Sequence, residues 1–406
     1  MKNVTYINAG AGSGKTYNLT ELLSEVLGTK QARPDEVILT TFTVKAANDF
    51  KEKSKAKLFG KGMFEEANML DGALIGTIHS VAYSIISRFW YYLGLPPKPQ
   101  IMTEDDGDVY RAQSLGTLPT NEELDFLKDF AEQFEIKEPM GSMIDYDFWQ
   151  CHLNAIIGFT TNYEIKDYDK SRERSKAAFR DFVNPDAPAL PSRDEVRNVL
   201  MTLQGIFDVQ RDTPTNDRRK DAVRELMRRA SRPTFAMYKE LSKLGKTIKA
   251  AENHPAVAAV NRSLDLMWQS KEVYDRIARY IDLVFTLAER WRDQYELFKK
   301  ERNILDFNDL EKYLLTLLRT PFAAREIGAK YRYVFVDEFQ DCSPIQIKIF
   351  RELSLLAEHS YWVGDMKQSI FGFRGSDTAL TDAVVKTVED ARSRGCEIRT
   401  LPKSWR

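Results

Sequence analysis

The stretch Val4-Thr5-Tyr6-Ile7-Asn8-Ala9-Gly10-Ala11-Gly12-Ser13-Gly14-Lys15-Thr16 decides the fold. Its first five residues are a β-rich run, and helical periodicity begins at about Lys15 and continues to Leu27. A strand, a glycine-rich turn and a helix in that order let backbone N–H groups curl inward around a triphosphate, with the helix N-terminus adding partial positive charge. On this reading Ala11, Gly12, Ser13 and Gly14 form the cradle. Lys15 reaches the β and γ phosphates of ATP, and the Thr16 hydroxyl is a ligand for Mg2+. The pattern GxxxxGK[ST] is met except at its first position, where Ala9 stands for Gly. A glycine-rich turn that holds nothing is the plain alternative.

The alternation continues outward. Glu36–Thr41 reads as a strand, Val44–Phe59 as a helix and Ala73–Thr77 as a third strand leading into a helix from about His79. From about Trp90 the character changes. Pro96, Pro97 and Pro99 interrupt the chain, and a long, mostly helical block follows, with Asn184–Pro191 as a surface loop. The β-then-α pattern resumes at Tyr333–Asp337, an apolar run suited to a buried central strand. Ser343, Pro344 and Gln346 together make a helix start with a capping box. Tyr361–Gly364 and Glu397–Leu401 are the last strands. The expected fold is α/β: a parallel sheet flanked by helices, of the P-loop NTPase (RecA-like) kind, with a large helical insertion. The expected division is 1–90 plus 290–406 for the sheet domain and 91–289 for the insertion.

Composition narrows the class. The 406 residues carry a net charge of -1, with 43% hydrophobic and 29% charged residues, values ordinary for a soluble globular chain. No run approaches the roughly 18 apolar residues of a membrane span. Strand-like sequence starts directly after Lys2, so no secretory leader is expected. The cysteines, Cys151, Cys342 and Cys396, are sparse and lack metal-ligand spacing, which fits a reducing cytoplasm.

Val336-Asp337-Glu338-Phe339-Gln340-Asp341 puts carboxylates at the C-terminal end of an apolar strand, where open parallel sheets bind ligands. Asp337 is placed to hold Mg2+, and Glu338 to orient and deprotonate an attacking water. Gln340 is read as a γ-phosphate reporter. A solvated acidic turn is the alternative. Thr41-Phe42-Thr43 and Gly76-Thr77-Ile78-His79-Ser80 follow the second and third strands, on the same edge, where hydroxyls and helix N-termini suit nucleic-acid phosphates. By themselves, Phe42 packing beneath its loop and His79 capping a helix are the simpler readings. In Val363–Gly375, Gln368 follows a strand end, and Phe371 and Phe373 lie beside Arg374, aromatics next to a cation that suit stacked single-stranded bases. Core phenylalanines are the alternative there, better suited to Phe371 than to Phe373.

Taken together these segments resemble the superfamily 1 DNA helicases of the UvrD/Rep type, including the RecB and AddA motor proteins. The order matches: AGAGSGKT at Ala9, TFTVKAA at Thr41, GTIHS at Gly76, DFNDL at Asp306, VDEFQD at Val336, VGDMKQSIFGFRG at Val363 and SWR at Ser404. The match covers 1 to about 90 and 300 to 406; the block between agrees in position and helical character only. The resemblance implies Lys15 and Thr16 as phosphate and Mg2+ ligands, Asp337 as the Mg2+ carboxylate, Glu338 as the base and Gln368 as the γ-phosphate sensor. Phe42, His79 and Phe373 become single-strand contacts supported by Phe371 and Arg374, next to the Thr41 and Thr43 hydroxyls already read as suited to phosphates. Trp405 becomes the ring that stacks on adenine, and Arg406 the arginine that reaches the γ-phosphate.

The family moves 3′ to 5′ along single-stranded DNA, so the expected partners are single-stranded and duplex-junction DNA, with no membrane. Two departures stand out: only eight residues precede Ala9, too few for the family's adenine-reading glutamine segment, and the second motor domain is absent. ATP binding without strong hydrolysis or unwinding is expected of this chain, read as a truncated or split product. The long insertion leans toward RecB/AddA, hence toward a partner subunit of a helicase–nuclease (exonuclease V-like) complex. Alternatives that remain are a non-helicase P-loop ATPase and a plain nucleic-acid-binding module. In the insertion, basic residues from Arg218 to Lys249 appear with few acids to offset them, which suggests either phosphate contact or a solvated helix face.

Overall fold

The computed structural model describes residues 2–10, 14–115, 117–365 and 378–401. Eight strands occur among these: β1 Val4–Asn8, β2 Val37–Thr41, β3 Leu74–Thr77, β4 Gln100–Ile101, β5 Ile304–Leu305, β6 Tyr333–Val336, β7 His359–Gly364 and β8 Glu397–Thr400. Six form one sheet in the order β3-β2-β6-β7-β1-β8, and every pairing is parallel. All six strands therefore end on the same edge, and every loop that follows a strand opens there.

Burial follows position in the sheet. β2 and β6 are buried along their whole length, while the two edge strands β3 and β8 are partly exposed. Side chains alternate between two cores, as the period of two requires. Val334 and Val336 of β6, Tyr6 of β1 and Trp362 of β7 meet helices Ile78–Phe89, Phe307–Arg319 and Pro344–Leu356 on one face. Tyr333 and Phe335, with Ile7 and Val363, meet helices Lys15–Gly28 and Val44–Gly60 on the other. A strand covered on both faces cannot alternate apolar with polar, so β6 reads as an unbroken apolar run. Glu36, expected at the start of a strand, instead ends the tight 3-10 turn Pro34–Glu36; Pro34 fixes φ and Glu36 closes on Arg33 N.

The chain divides into two compact units. The first holds Met1–Tyr110, Gly158–Ile165 and Glu296–Arg406 and contains the sheet. β4 and β5 also lie in it, paired in parallel with Gln100 beside Ile304 and Ile101 beside Leu305. The second unit, Arg111–Ile157 and Lys166–Tyr295, is helical. Its core is built by helices Arg193–Asp208, Pro214–Arg229, Phe235–Gly245 and Pro255–Asp265 around Phe207, Leu203, Val223, Met237 and Leu241. Thr213 and Thr234 cap two of these helices through their hydroxyls.

The basic cluster of the second unit is offset by more acids than its own segment contains. Arg224 pairs with Asp221 at 2.5 Å, Arg228 with Glu225 at 2.7 Å and Arg229 with Glu240 at 3.2 Å. Lys220 meets Asp212, Lys246 meets Asp265, and Arg232 meets Asp129 and Glu132. The impression of an unbalanced cluster is thus corrected: four of these partners, Asp129, Glu132, Asp212 and Asp265, lie outside Pro214–Ala251. Exposed pairs of this kind contribute only about 0–1 kcal/mol each to stability.

Candidate nucleotide site and DNA-facing edge

Helix Lys15–Gly28 starts from Gly14, whose φ of 82° and ψ of 37° lie in the left-handed region that glycine enters at little cost. Gly14, the N-cap residue, has no side chain to cap with, and the helix start carries the positive end of the helix dipole. Lys15 is the first residue of that helix, and β1 positions it. β6 positions Asp337 and Glu338. Only β7 separates β1 from β6, so their ends lie about two strand spacings, roughly 10 Å, apart. The lysine side chain bridges that gap: Lys15 Nζ lies 2.5 Å from Glu338 Oε2.

The acidic turn is bent to suit this contact. Glu338 has φ 51° and ψ 44°, an uncommon conformation for a residue with a side chain, and one that carries strain. Its N–H donates to Asp337 Oδ1 at 3.0 Å. Burial first, and then the charge of Glu338, push the Asp337 carboxyl up to about 6. The same two causes act in the same order on Asp341, also to about 6. Asp341 Oδ1 is buried with no hydrogen-bond partner among the described residues.

Gln340 bonds the same Glu338 oxygen that Lys15 meets. It is 2% exposed. Its Nε2 donates to Glu338 Oε2 at 2.7 Å and to Asp341 Oδ2 at 3.1 Å, and its Oε1 accepts from Asp365 N at 2.9 Å. The amide holds the acidic turn against the end of β7. Gly364 is glycine for the same reason: a Cβ there would come within 2.8 Å of Gln340 Oε1 and 3.0 Å of the Tyr6 hydroxyl.

On the other half of the edge, the Thr41 side chain donates to Thr43 O at 2.9 Å, and the Thr43 hydroxyl accepts from Ala46 N to cap helix Val44–Gly60. Phe42 is half-buried. His79 does not cap its helix; Thr77 does, accepting from Ser80 N. His79 instead lies on the Phe307 ring, with centroids 4.5 Å apart and planes 19° from parallel, and its Nε2 is 3.1 Å from Glu311 Oε1. Thr16 is half-buried beside Lys15. Ala11, Gly12, Ser13, Gln368, Phe371, Phe373, Arg374, Trp405 and Arg406 lie outside the described residues.

The chain matches the model of the UvrD/REP helicase N-terminal domain over residues 1–389. It belongs to that family. Among similar proteins are three ATP-dependent helicase/nuclease subunits of the A type. That of Alkaliphilus metalliredigens (strain QYMF) is 23% identical over 92% of this chain and 34% of its own length. That of Streptococcus mutans serotype c is 25% identical over 96% of this chain and 35% of its own. That of Anoxybacillus flavithermus is 24% identical over 93% and 36%. The chain thus spans about a third of the length of these relatives.

Within this UvrD/REP domain, sequence reasoning assigned no role to several buried polar residues near the site. Lys299 is 4% exposed and donates to both Asp309 oxygens at 2.7 Å, to Asp306 Oδ2 at 3.2 Å and to Glu296 at 3.3 Å. Asp306 and Asp309 also accept each other's backbone N–H, boxing the start of helix Phe307–Arg319. Burial would pull the Lys299 ammonium down, but the charges of Asp306, Asp309 and Glu296 outweigh it and hold it up. The signal was present in DFNDL, whose Asp306 and Asp309 have capping-box spacing. Glu311, one residue past that motif, shares a helix face with Phe307 at i,i+4 spacing. No helix among the described residues is long and apolar enough to cross a membrane.

Proposed function

We propose that this chain is the ATP-binding first motor domain of a 3′-to-5′ DNA helicase or translocase of repair or recombination, coupling ATP hydrolysis to movement on single-stranded DNA. The observation that supports it best is the 2.5 Å contact of Lys15 with Glu338 at the C-terminal edge of a parallel sheet, beside a helix start. A triphosphate competes for Lys15 and for the first-turn N–H groups. Lys15 then leaves Glu338, whose carboxylate, still held by Gln340, accepts a proton from the attacking water.

The residues fit Mg2+. Ions of that kind take one or two carboxylates together with substrate phosphates, and Asp337 and the Thr16 hydroxyl offer such a set, with Asp341, farther along the same acidic turn, carrying an oxygen that has no partner among the described residues. When bound, Mg2+ neutralises charge on the phosphates. Gln368 and Arg406 are assigned to the γ-phosphate, Trp405 to adenine, and Ala11, Gly12, Ser13 and Gly14 to the phosphate cradle. Thr41, Phe42, Thr43, His79, Phe371, Phe373 and Arg374 are assigned to single-stranded DNA, and 91–289 to a DNA-binding insertion of a cytoplasmic protein.

A second reading places the chain in a helicase–nuclease assembly with a partner subunit, favoured by the names of its relatives. The decisive experiment is nucleotide binding and turnover with and without oligo-dT, beside Lys15→Ala. ATP binding that depends on Lys15 supports the proposal; a chain that binds no nucleotide, or prefers RNA to DNA in competition, overturns it.

A further inference from the structure

Glu311 is 4% exposed, and its Oε1 receives two hydrogen bonds, from Gln346 Nε2 at 2.6 Å and from His79 Nε2 at 3.1 Å. The other end of the Gln346 amide accepts from Ser343 N at 3.1 Å and closes the capping box of helix Pro344–Leu356. One carboxylate oxygen thereby joins the helix after β3, the helix that carries DFNDL and the helix that follows the acidic turn. Two donors on a buried carboxylate also satisfy a group that would be costly to bury alone.

The consequence for His79 is geometric. A carboxylate accepts, so the histidine nitrogen facing it carries the proton, and Nδ1 is the nitrogen left for other contacts. Phe307 covers one face of the ring. An edge contact and a face contact together fix both side-chain torsions, leaving the opposite face and Nδ1 in one orientation.

We propose that Glu311 is a positioning residue: it holds His79 against Phe307 in the orientation that meets single-stranded DNA, and through Gln346 fixes that orientation to the helix behind the acidic turn. Glu311 itself touches no DNA. The inference rests on the reading that this sheet edge carries single-stranded DNA.

The test is fluorescence-anisotropy binding of oligo-dT by the full chain and by His79→Ala, Glu311→Ala, Glu311→Gln and the His79→Ala/Glu311→Ala double variant. Binding of a fluorescent ATP analogue and the thermal midpoint are measured alongside. We expect His79→Ala and Glu311→Ala each to weaken oligo-dT binding about tenfold, and the double variant to be no weaker than His79→Ala, because both act through one ring. Glu311→Gln retains most of the affinity, since its amide oxygen still accepts from His79, and ATP-analogue binding stays within about twofold. Additive losses in the double variant, an unaffected Glu311→Ala, or a DNA-binding loss that tracks a loss of nucleotide binding and of melting temperature would each overturn the positioning role. Absence of oligo-dT binding by the unaltered chain sinks the functional reading itself, a result distinct from any of these.

Discussion

Two lysine–carboxylate clusters in the sheet unit are built in opposite ways. Around Lys299 every element closes. Asp306 and Asp309 take both the ammonium and each other's N–H, inside a helix cap that is complete. Around Lys15 the elements stay open among the described residues. Glu338 is held in a left-handed conformation, Asp341 Oδ1 lacks a partner among the described residues, and Gly14 offers helix Lys15–Gly28 no side-chain cap. Charge and burial alone do not separate the two, since Asp309 is also pushed up to about 6, by burial first and then by Asp306. Saturation does. A cluster whose hydrogen bonds are complete stabilises a fold; one that is strained and incomplete is a place where a ligand supplies the rest.

The contrast gives four expected outcomes, the largest at the closed cluster. Lys299→Met leaves buried carboxylates without their cation and costs about 3–5 kcal/mol of stability, read from urea unfolding. Lys15→Ala leaves the urea midpoint nearly unchanged but lowers ATP turnover about 100- to 1,000-fold, as loss of one positioned transition-state contact does. If both variants lose mainly stability, the distinction between the clusters collapses. Gln340→Leu frees the Glu338 carboxylate to turn, so turnover falls about tenfold with nucleotide affinity unchanged; steady-state kinetics separates the two.

The smallest effect is a titration. Asp337 holds its proton more tightly in the folded state than in the unfolded one, so ionising it destabilises the fold. That penalty is absent at and below about pH 4, grows as the pH rises and is complete above about 6. Asp337→Asn, which does not ionise, is therefore more stable than the parent at pH 7.5, and the advantage fades as the pH falls to about 4. An advantage that grows on acidification contradicts the assignment of burial as the cause.

Much of this was legible in the sequence, for identifiable reasons. β6 could be read because a strand covered on both faces is an apolar run, β2 and β7 because each contains such a run, and the Ser343–Gln346 box because a cap is a local pattern. β4 and β5 could not, since two residues hold no period. Lys15, Asp337 and Glu338 were legible as residue types at strand ends. The inward turn of Gln340 was not, because its acceptor role depends on Asp365, 25 residues away. The acids that pair with the basic segment were hidden for a similar reason: Asp129 and Asp265 belong to other helices.

The short β4–β5 pair has a consequence for how such a chain can change over generations. Gln100 and Ile304 sit on neighbouring strands, about 5 Å apart, although some two hundred residues separate them in sequence. Apart from Gly158–Ile165, which belongs to the sheet unit, the intervening chain leaves and rejoins near adjacent ladder positions, so its length is loosely tied to the sheet's geometry, and doubling a loop adds only about 0.6 kcal/mol of closure entropy. The pair works as a splice junction in the polypeptide. Segments there can be lengthened, shortened or exchanged while the strands that carry Lys15 and Glu338 keep their register.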